Sequence, residues 1–417
     1  MPATPLAELG ERARTAARRL ARATAAEKDE ALTRAADLLA ERSADVLAAN
    51  GSDVSRAAES GADEAVLDRL RLDGRRLEQM AEGLRAVAAH PDPVGEVVEG
   101  CTRPNGLVVE RVRVPLGVVG VIYENRPNVT ADAAALCLKA GNAALLRGSG
   151  GALASNVAIV ALMREGLAKA GLPEDGVVLV EDVSHEAARA FVQLSGVIDC
   201  LIPRGGPGLV EMVRAQATVP FVVDGDGNCH IYVDRAADLE MARRIVLNAK
   251  LSRPSVCNAA ESLVVHTDVA PAFLSSAGRA LLDAGVELVG DERARALLPE
   301  IGVAGEDDFG AEFLGPKMSV AVVDDLDAAI GHVQRYSSGH SEAIVTEDLR
   351  AARRFVREVD AAAVLVNAST RFVDGGELGL GAEVGISTQK LHARGPMGLR
   401  ELTSVKWVVY GEGQIRT

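Results

Sequence analysis

Aromatic residues are scarce: phenylalanine, tryptophan and tyrosine together make up 3% of the 417 residues. A core must therefore be built from alanine, valine, leucine and isoleucine. Positive charge is also short, with 45 Lys and Arg against 59 Asp and Glu and a formal net charge of −14. That balance argues against nucleic acid as the main partner, because phosphate backbones need a basic face. A local basic pocket for an anionic ligand is still allowed. No run of about 18 apolar residues is present, and the N-terminus lacks a charged start followed by an apolar block and a small-residue cleavage site. The expectation is a cytoplasmic protein with no membrane partner. Cysteine is sparse and odd in number: Cys101, Cys137, Cys200, Cys229 and Cys257 lie far apart, with no C-x-x-C spacing. They fit free thiols rather than a disulfide framework or a zinc site. Cys229 and His230 are adjacent in a strand-like run, where neighbours point to opposite faces, so no metal site is expected there.

What is present points to a folded α/β chain. Hydrophobic residues make up 48% and charged residues 25%, as in soluble globules. The length calls for two domains or more. Residues 6 to 90 carry apolar positions at helical spacing, for example in Glu30-Ala-Leu-Thr-Arg-Ala-Ala-Asp-Leu-Leu-Ala-Glu-Arg42. Pro91, Pro93 and Gly95 end that region. Val108-Val-Glu-Arg-Val-Arg-Val114 largely alternates apolar with polar, which predicts a strand with one wet face. Asn105-Gly106 is a turn signal before it, with Glu96-Val-Val98 as a possible partner strand. From residue 117, short apolar runs alternate with helix patterns. The runs are at Gly117 to Tyr123, Asn142 to Leu146, Val177 to Val180, Ile198 to Ile202 and Val219 to Val223. This predicts βαβ units and a parallel sheet covered on both faces, which binds ligands outside the carboxyl ends of its strands. A dinucleotide is the leading candidate ligand. The G-x-G-x-x-G fingerprint does not follow the first strand, where Tyr123-Glu-Asn-Arg-Pro-Asn128 stands instead. The nearest glycine-rich loop is Arg204-Gly-Gly-Pro-Gly208, equally readable as a tight strand-to-helix turn. A second αβ series runs from about residue 238 to 367. The tail Thr403 to Tyr410 is a lone strand whose partner must lie elsewhere, in another part of the chain or in another subunit.

Cys257 lies in Ser252-Arg-Pro-Ser-Val-Cys-Asn-Ala-Ala-Glu-Ser262, between a helix pattern and a strand pattern and after a proline. A scaffold presents nucleophiles on such segments, and a thiol suits acyl transfer because its thiolate both attacks and leaves well. The competing reading is a small buried hydrophobe. That reading is preferred for Cys137, on a helix pattern, and for Cys200, in a strand.

With these residues in view, the sequence resembles the aldehyde dehydrogenase superfamily, in its γ-glutamyl phosphate reductase branch. Four blocks carry the resemblance: Pro115 to Thr130, Ile202-Pro-Arg-Gly-Gly206, Arg253-Pro-Ser-Val-Cys-Asn258, and Phe372 to Leu399. The resemblance implies an α/β fold with a Rossmann-like cofactor domain (1–100 and 117–228) and a second α/β catalytic domain (229–385). It also implies a small β oligomerisation flap (101–116 and 401–417), with 386–400 returning to the active-site region. The implied reaction is reduction of L-glutamyl 5-phosphate by NADPH through a cysteinyl thioester on Cys257. Asn125 aligns with the side-chain amide that steadies the oxyanion in aldehyde dehydrogenases; otherwise it is an ordinary turn asparagine. Gly150 stands where NAD-preferring relatives carry a ribose-binding carboxylate. Arg147 adds positive charge beside it, which favours the 2′-phosphate of NADPH. In Glu312-Phe-Leu-Gly-Pro316, Glu312 resembles the superfamily glutamate that contacts the nicotinamide ribose. The resemblance thus implies Arg147, Gly148, Ser149, Arg204, Gly205, Gly206 and Glu312 at the cofactor, and Thr388, His392 and Arg394 are a candidate source of substrate contacts. Asp224 stands where hydrolytic relatives place the glutamate that activates water. A chain that must keep its thioester dry has no use for that base. A homo-oligomer and a separate glutamate 5-kinase are the implied partners.

Overall fold

A computed structural model describes residues 4–416. Residues 1–3 and 417, at the ends of the expected cofactor domain and flap, lie outside the described residues. The chain divides into two compact units. One comprises residues up to 223 together with 380–385 and 397 onward; the other comprises 224–379 and 386–396. The flap strands thus cluster with the first unit, the division falls at 223/224, and the return segment is shared between units at 385/386 and 396/397.

The first unit opens with the helices Leu6–Leu20, Ala25–Glu41, Ser43–Glu59, Glu64–Leu70 and Gly74–Ala89. The second of these begins on a capping box, in which Thr24 and Glu27 satisfy each other's main-chain N–H. Small residues let these helices pack closely: Gly166 of helix Leu153–Lys169 sits directly on the backbone at Ala31 and Ala35. By length and composition alone, Gly150–Lys169 is apolar enough to cross a membrane, but half of that stretch is buried inside the protein.

The parallel sheet of this unit has the strand order Val177–Leu179, Ala143–Arg147, Val118–Tyr123, Cys200–Arg204. The first strand in sequence is thus central, between the second and the fourth. Their carboxyl ends part at a topological switch point, where open α/β sheets leave a crevice. Val219 to Val223 makes only a single parallel bridge, Phe221 with Leu201, instead of the expected strand. Pro220 accepts a hydrogen bond from Leu201 but has no N–H with which to continue a ladder. The hairpin at Asn105-Gly106 forms as the sequence predicts, joining Val97–Thr102 to Val108–Pro115. The tail strand Thr403–Tyr410 finds its partner in the same chain, antiparallel to Val108–Pro115. This is the pairing that the flap of 101–116 and 401–417, implied by the resemblance, calls for.

The second unit holds a seven-stranded sheet in which every neighbouring pair is parallel. Its centre is Ala260–His266 and Cys229–Val233, flanked by Lys317–Val323 on one side and Ser341–Val345 on the other. Both central strands are buried along their whole length, including the polar His230, Glu261, Ser262 and His266 within them. Val264, Tyr232 and Ile344 pack on one face under Phe355, while Leu263, Ile231 and Val320 pack on the other under Phe273.

Candidate active site

In the second unit, Cys257 lies on an irregular turn between helix Leu239–Leu251 and strand Ala260–His266, half-exposed. Cys137, Cys200 and Cys229 are buried, and burial pushes each of their thiols up, Cys200 to about 12. Cys101 is exposed on the edge strand of the three-stranded sheet.

The turn that carries Cys257 is fastened on several sides. Asn258 donates from Nδ2 to the Val373 carbonyl at 2.9 Å, and its main-chain carbonyl accepts from Thr370 Oγ1 at 2.7 Å. Arg371 bonds the other side of the same amide and reaches Ser252 Oγ at 3.1 Å. The Cys229 thiol donates to the Cys257 carbonyl at 3.1 Å. The neighbouring His230 turns instead toward His332, edge to face with ring centroids 5.7 Å apart. Gly227 packs against the Cys257 main chain so closely that a Cβ there would overlap the Cys257 carbonyl. The Gly227 N–H donates to Glu312 Oε1 at 2.7 Å. Burial pushes the Glu312 carboxyl up, and the Gly227 N–H partly opposes this. Glu312 and Cys257 are therefore joined through one glycine. Gly227 was absent from the sequence-based candidates. Its signal was a glycine directly before an apolar strand.

Asp224 accepts from the Ile386 N–H at 2.6 Å, so its carboxylate fastens the return segment. Thr388 packs on Gly225, where a Cβ would overlap its side chain. Of the expected substrate residues, Thr388 is thus brought beside the loop that supports Cys257. Arg394 pairs with Asp360 at 2.7 Å, a carboxylate it shares with Lys390. His392 is exposed at a positive φ of 72°.

In the first unit, the expected cofactor residues gather at the carboxyl ends of adjacent strands. Asn125, one residue past the end of Val118–Tyr123 plus Glu124, adopts φ 41°, a left-handed conformation that asparagine tolerates. Ser149 holds it from both sides, accepting from the Asn125 N–H at 3.0 Å and donating to Oδ1 at 2.7 Å. With Oδ1 engaged, the side-chain amide has a fixed orientation. Ser149 thus positions Asn125, a role not expected from sequence. Arg147 ends its strand 7% exposed and donates from Nη2 to the Ser184 carbonyl at 2.7 Å, while Nε has no partner. Burial pulls the guanidinium pKa down and Asp182 opposes this; arginine nonetheless stays charged. A cation at the carboxyl end of its strand suits an anionic group such as a phosphate oxygen. Gly148 lies against the Asn156 amide, which any Cβ there would overlap.

The Arg204-Gly205-Gly206 turn leads into helix Pro207–Gln216. There the Gly206 N–H donates to Glu124 Oε2 at 2.8 Å, so a carboxylate of the chain itself covers this helix start. Glu124 was not among the sequence candidates. Its signal was a charged residue directly after a buried strand.

The sequence matches the aldehyde dehydrogenase family over residues 5–293 and 307–408. It is 54% identical over 408 residues to the gamma-glutamyl phosphate reductase of Carboxydothermus hydrogenoformans, covering 98% of each chain. It is 53% identical over 409 residues to the enzyme of the same name from Thermobifida fusca, again with 98% of each chain covered. The crystal structure of gamma-glutamyl phosphate reductase from Thermotoga maritima superposes with a TM-score of 0.97 at 47% identity, over 99% of this chain and 100% of that one. An acetylating aldehyde dehydrogenase from Geobacillus thermoglucosidasius, 17% identical, shares the fold with a TM-score of 0.69. The chain belongs to the aldehyde dehydrogenase family, in its gamma-glutamyl phosphate reductase branch.

Proposed function

We propose that the chain catalyses NADPH-dependent reduction of L-glutamyl 5-phosphate to L-glutamate 5-semialdehyde with release of phosphate, a step of proline biosynthesis in the cytoplasm. The observation that carries this reading is the end-to-end likeness to enzymes named gamma-glutamyl phosphate reductase. The local chemistry supports it. Cys257 attacks the acyl carbon, the carbon–oxygen bond to phosphate breaks, and a thioester remains. The nicotinamide, when bound, supplies the hydride that reduces this thioester. The resulting thiohemiacetal on Cys257 collapses to aldehyde and thiolate. Negative charge develops on the carbonyl oxygen in each step, and the Asn125 amide and the Cys257 N–H are the donors assigned to it. Arg147 takes the 2′-phosphate, with Gly148, Ser149, Arg204, Gly205 and Gly206 around the dinucleotide. Glu312 holds the nicotinamide ribose with the oxygen that Gly227 leaves available. Thr388, His392 and Arg394 face the amino-acid end of the substrate. Asp224, engaged by Ile386, leaves the thioester without a base for water.

A separate kinase supplies the acyl phosphate. The exposed Trp407, Val409 and Tyr410 on the tail strand support a subunit contact in a homo-oligomer. The test of the reaction is NADP⁺ reduction by glutamate semialdehyde with and without phosphate. Phosphate-dependent turnover, abolished in Cys257→Ala, is the expected result. Turnover that ignores phosphate, or survives that substitution, refutes the reading.

A further inference from the structure

Lys250 and Glu261 form an ion pair at 2.6 Å in which both side chains are completely buried. Glu261 lies four residues after Cys257, where the register between strands Cys229–Val233 and Ala260–His266 slips: Cys229 faces Ala260, but His230 faces Ser262. Glu261 is the extra residue of that bulge, and bulges re-aim side chains. Its Oε2 takes Lys250, and its Oε1 accepts from the Leu314 N–H at 3.2 Å.

Leu314 has φ 51°, unusual for a residue with a Cβ and a branched side chain, and such a conformation persists only where surrounding contacts hold it. Two residues earlier, Glu312 accepts from Gly227, and Gly227 lies on the main chain of Cys257. The contacts close a ring. From Cys257 the chain runs to Glu261, across to Leu314, back along two residues to Glu312, and through Gly227 to Cys257 again.

We propose that the buried Lys250–Glu261 pair is a positioning device that sets Glu312 in register with Cys257. This deepens the function proposed above and rests on it for the role of Glu312. Stability does not explain the pair, since well-packed apolar residues in its place are often as stable or more so. What an apolar pair cannot do is accept the Leu314 N–H. Burial raises the Glu261 carboxyl and Lys250 is the strongest influence opposing it, with a net value of about 7; protonated or not, its carbonyl oxygen can accept the Leu314 N–H. Lys250 and Glu261 touch neither substrate nor cofactor; they act through Leu314 and Glu312.

Two double variants isolate this role. Lys250→Met with Glu261→Leu removes both charges and the acceptor. Lys250→Met with Glu261→Gln removes both charges but keeps an oxygen for Leu314. Each is measured for NADPH affinity by cofactor fluorescence and for the iodoacetamide alkylation rate of Cys257 by peptide mapping, with thermal unfolding as the control for folding. The Leu variant is expected to bind NADPH at least tenfold more weakly and to alter the Cys257 alkylation rate at least threefold. The Gln variant is expected to stay within threefold of the parent in affinity and within twofold in alkylation. Parent-like values in the Leu variant overturn the proposal, and so does equal loss in both variants. If either variant does not fold, hydrogen exchange in the parent decides: the Leu314 amide is expected to exchange at least a hundredfold slower than a free amide, and exchange at the free rate overturns the proposal. Neither readout uses the acyl phosphate, and alkylation needs no dinucleotide, so an error in the substrate or cofactor leaves this test standing.

Discussion

The two parallel sheets use opposite edges. In the first unit, candidate residues follow their strands: Asn125 comes after Val118–Tyr123, Arg147 ends Ala143–Arg147, and Gly205 and Gly206 follow Cys200–Arg204. In the second unit they precede their strands. Gly227 comes before Cys229–Val233, Cys257 before Ala260–His266, and Glu312 before Lys317–Val323. The carboxyl edge of the second sheet holds a cavity of about 310 Å³ lined by Asp234, His266, Asp325 and Arg350, where Asp234 accepts from Tyr232 and Thr346, and His266 Nδ1 accepts from the Asp268 N–H; no candidate residue lies in it. A carboxyl edge offers diverging loops and helix starts, which suit a ligand that comes and goes. The amino edge here offers a turn tied down by neighbouring main chain, which suits a nucleophile that must not move.

After Cys257→Ala itself, the largest effect should come from Asn125→Ala, at the carboxyl edge. Loss of an oxyanion donor predicts a fall in kcat of about 10²–10³ with little change in Tm; an unchanged kcat would remove Asn125 from the chemistry. At the amino edge, Gly227→Ala forces a Cβ into the Cys257 carbonyl. A displaced nucleophile predicts a loss of about 10² in kcat, and crystallography should find the 224–227 loop shifted. Near-parental turnover would show that the nucleophile turn tolerates movement, and the contrast between the edges would fail.

Arg147→Ala should raise the KM for NADPH by about tenfold, equivalent to about 1.4 kcal/mol, and that for NADH much less. Equal effects on both cofactors would detach Arg147 from the 2′-phosphate. The smallest effect concerns pH. Burial lowers His340 to about 4 and His332 to about 3, from an ordinary 6.5. Below about 6.5 the unfolded chain takes up these protons while the folded one does not, so stability falls as pH drops from about 6.5 toward 4. Each group contributes a slope of at most about 1.4 kcal/mol per pH unit. His340→Gln should flatten the slope measured by denaturant unfolding between pH 7 and 5; an identical slope would show that His340 does not titrate this way.

Much of the fold was legible along the chain. Continuous apolar runs such as Gly117 to Tyr123 marked buried parallel strands, because both faces of such strands must be apolar. The run at Val219 to Val223 misled, because its apolar pattern outweighed the missing N–H of Pro220. The irregular segment around Cys257 was legible because Pro254 and the adjacent strand mark it locally, although distant residues fasten its turn. Arg147 and Ser149 were legible as neighbours in one strand-end block. The tail strand's partner followed only from the family resemblance, which groups 101–116 with 401–417; Gly227 and Glu124 were not legible, since each acts on a residue at least 30 positions away.

The sequence alone therefore settled the fold class and the family resemblance, and placed Cys257 on an irregular segment before a strand, all of which rest on periodicity and contiguous motifs. Only the tertiary structure decided that Ser149 orients Asn125, that Glu124 covers the start of Pro207–Gln216, and that Glu312 reaches Cys257 through Gly227. Such contacts depend on distances between elements, and distances are fixed by packing rather than by order along the chain.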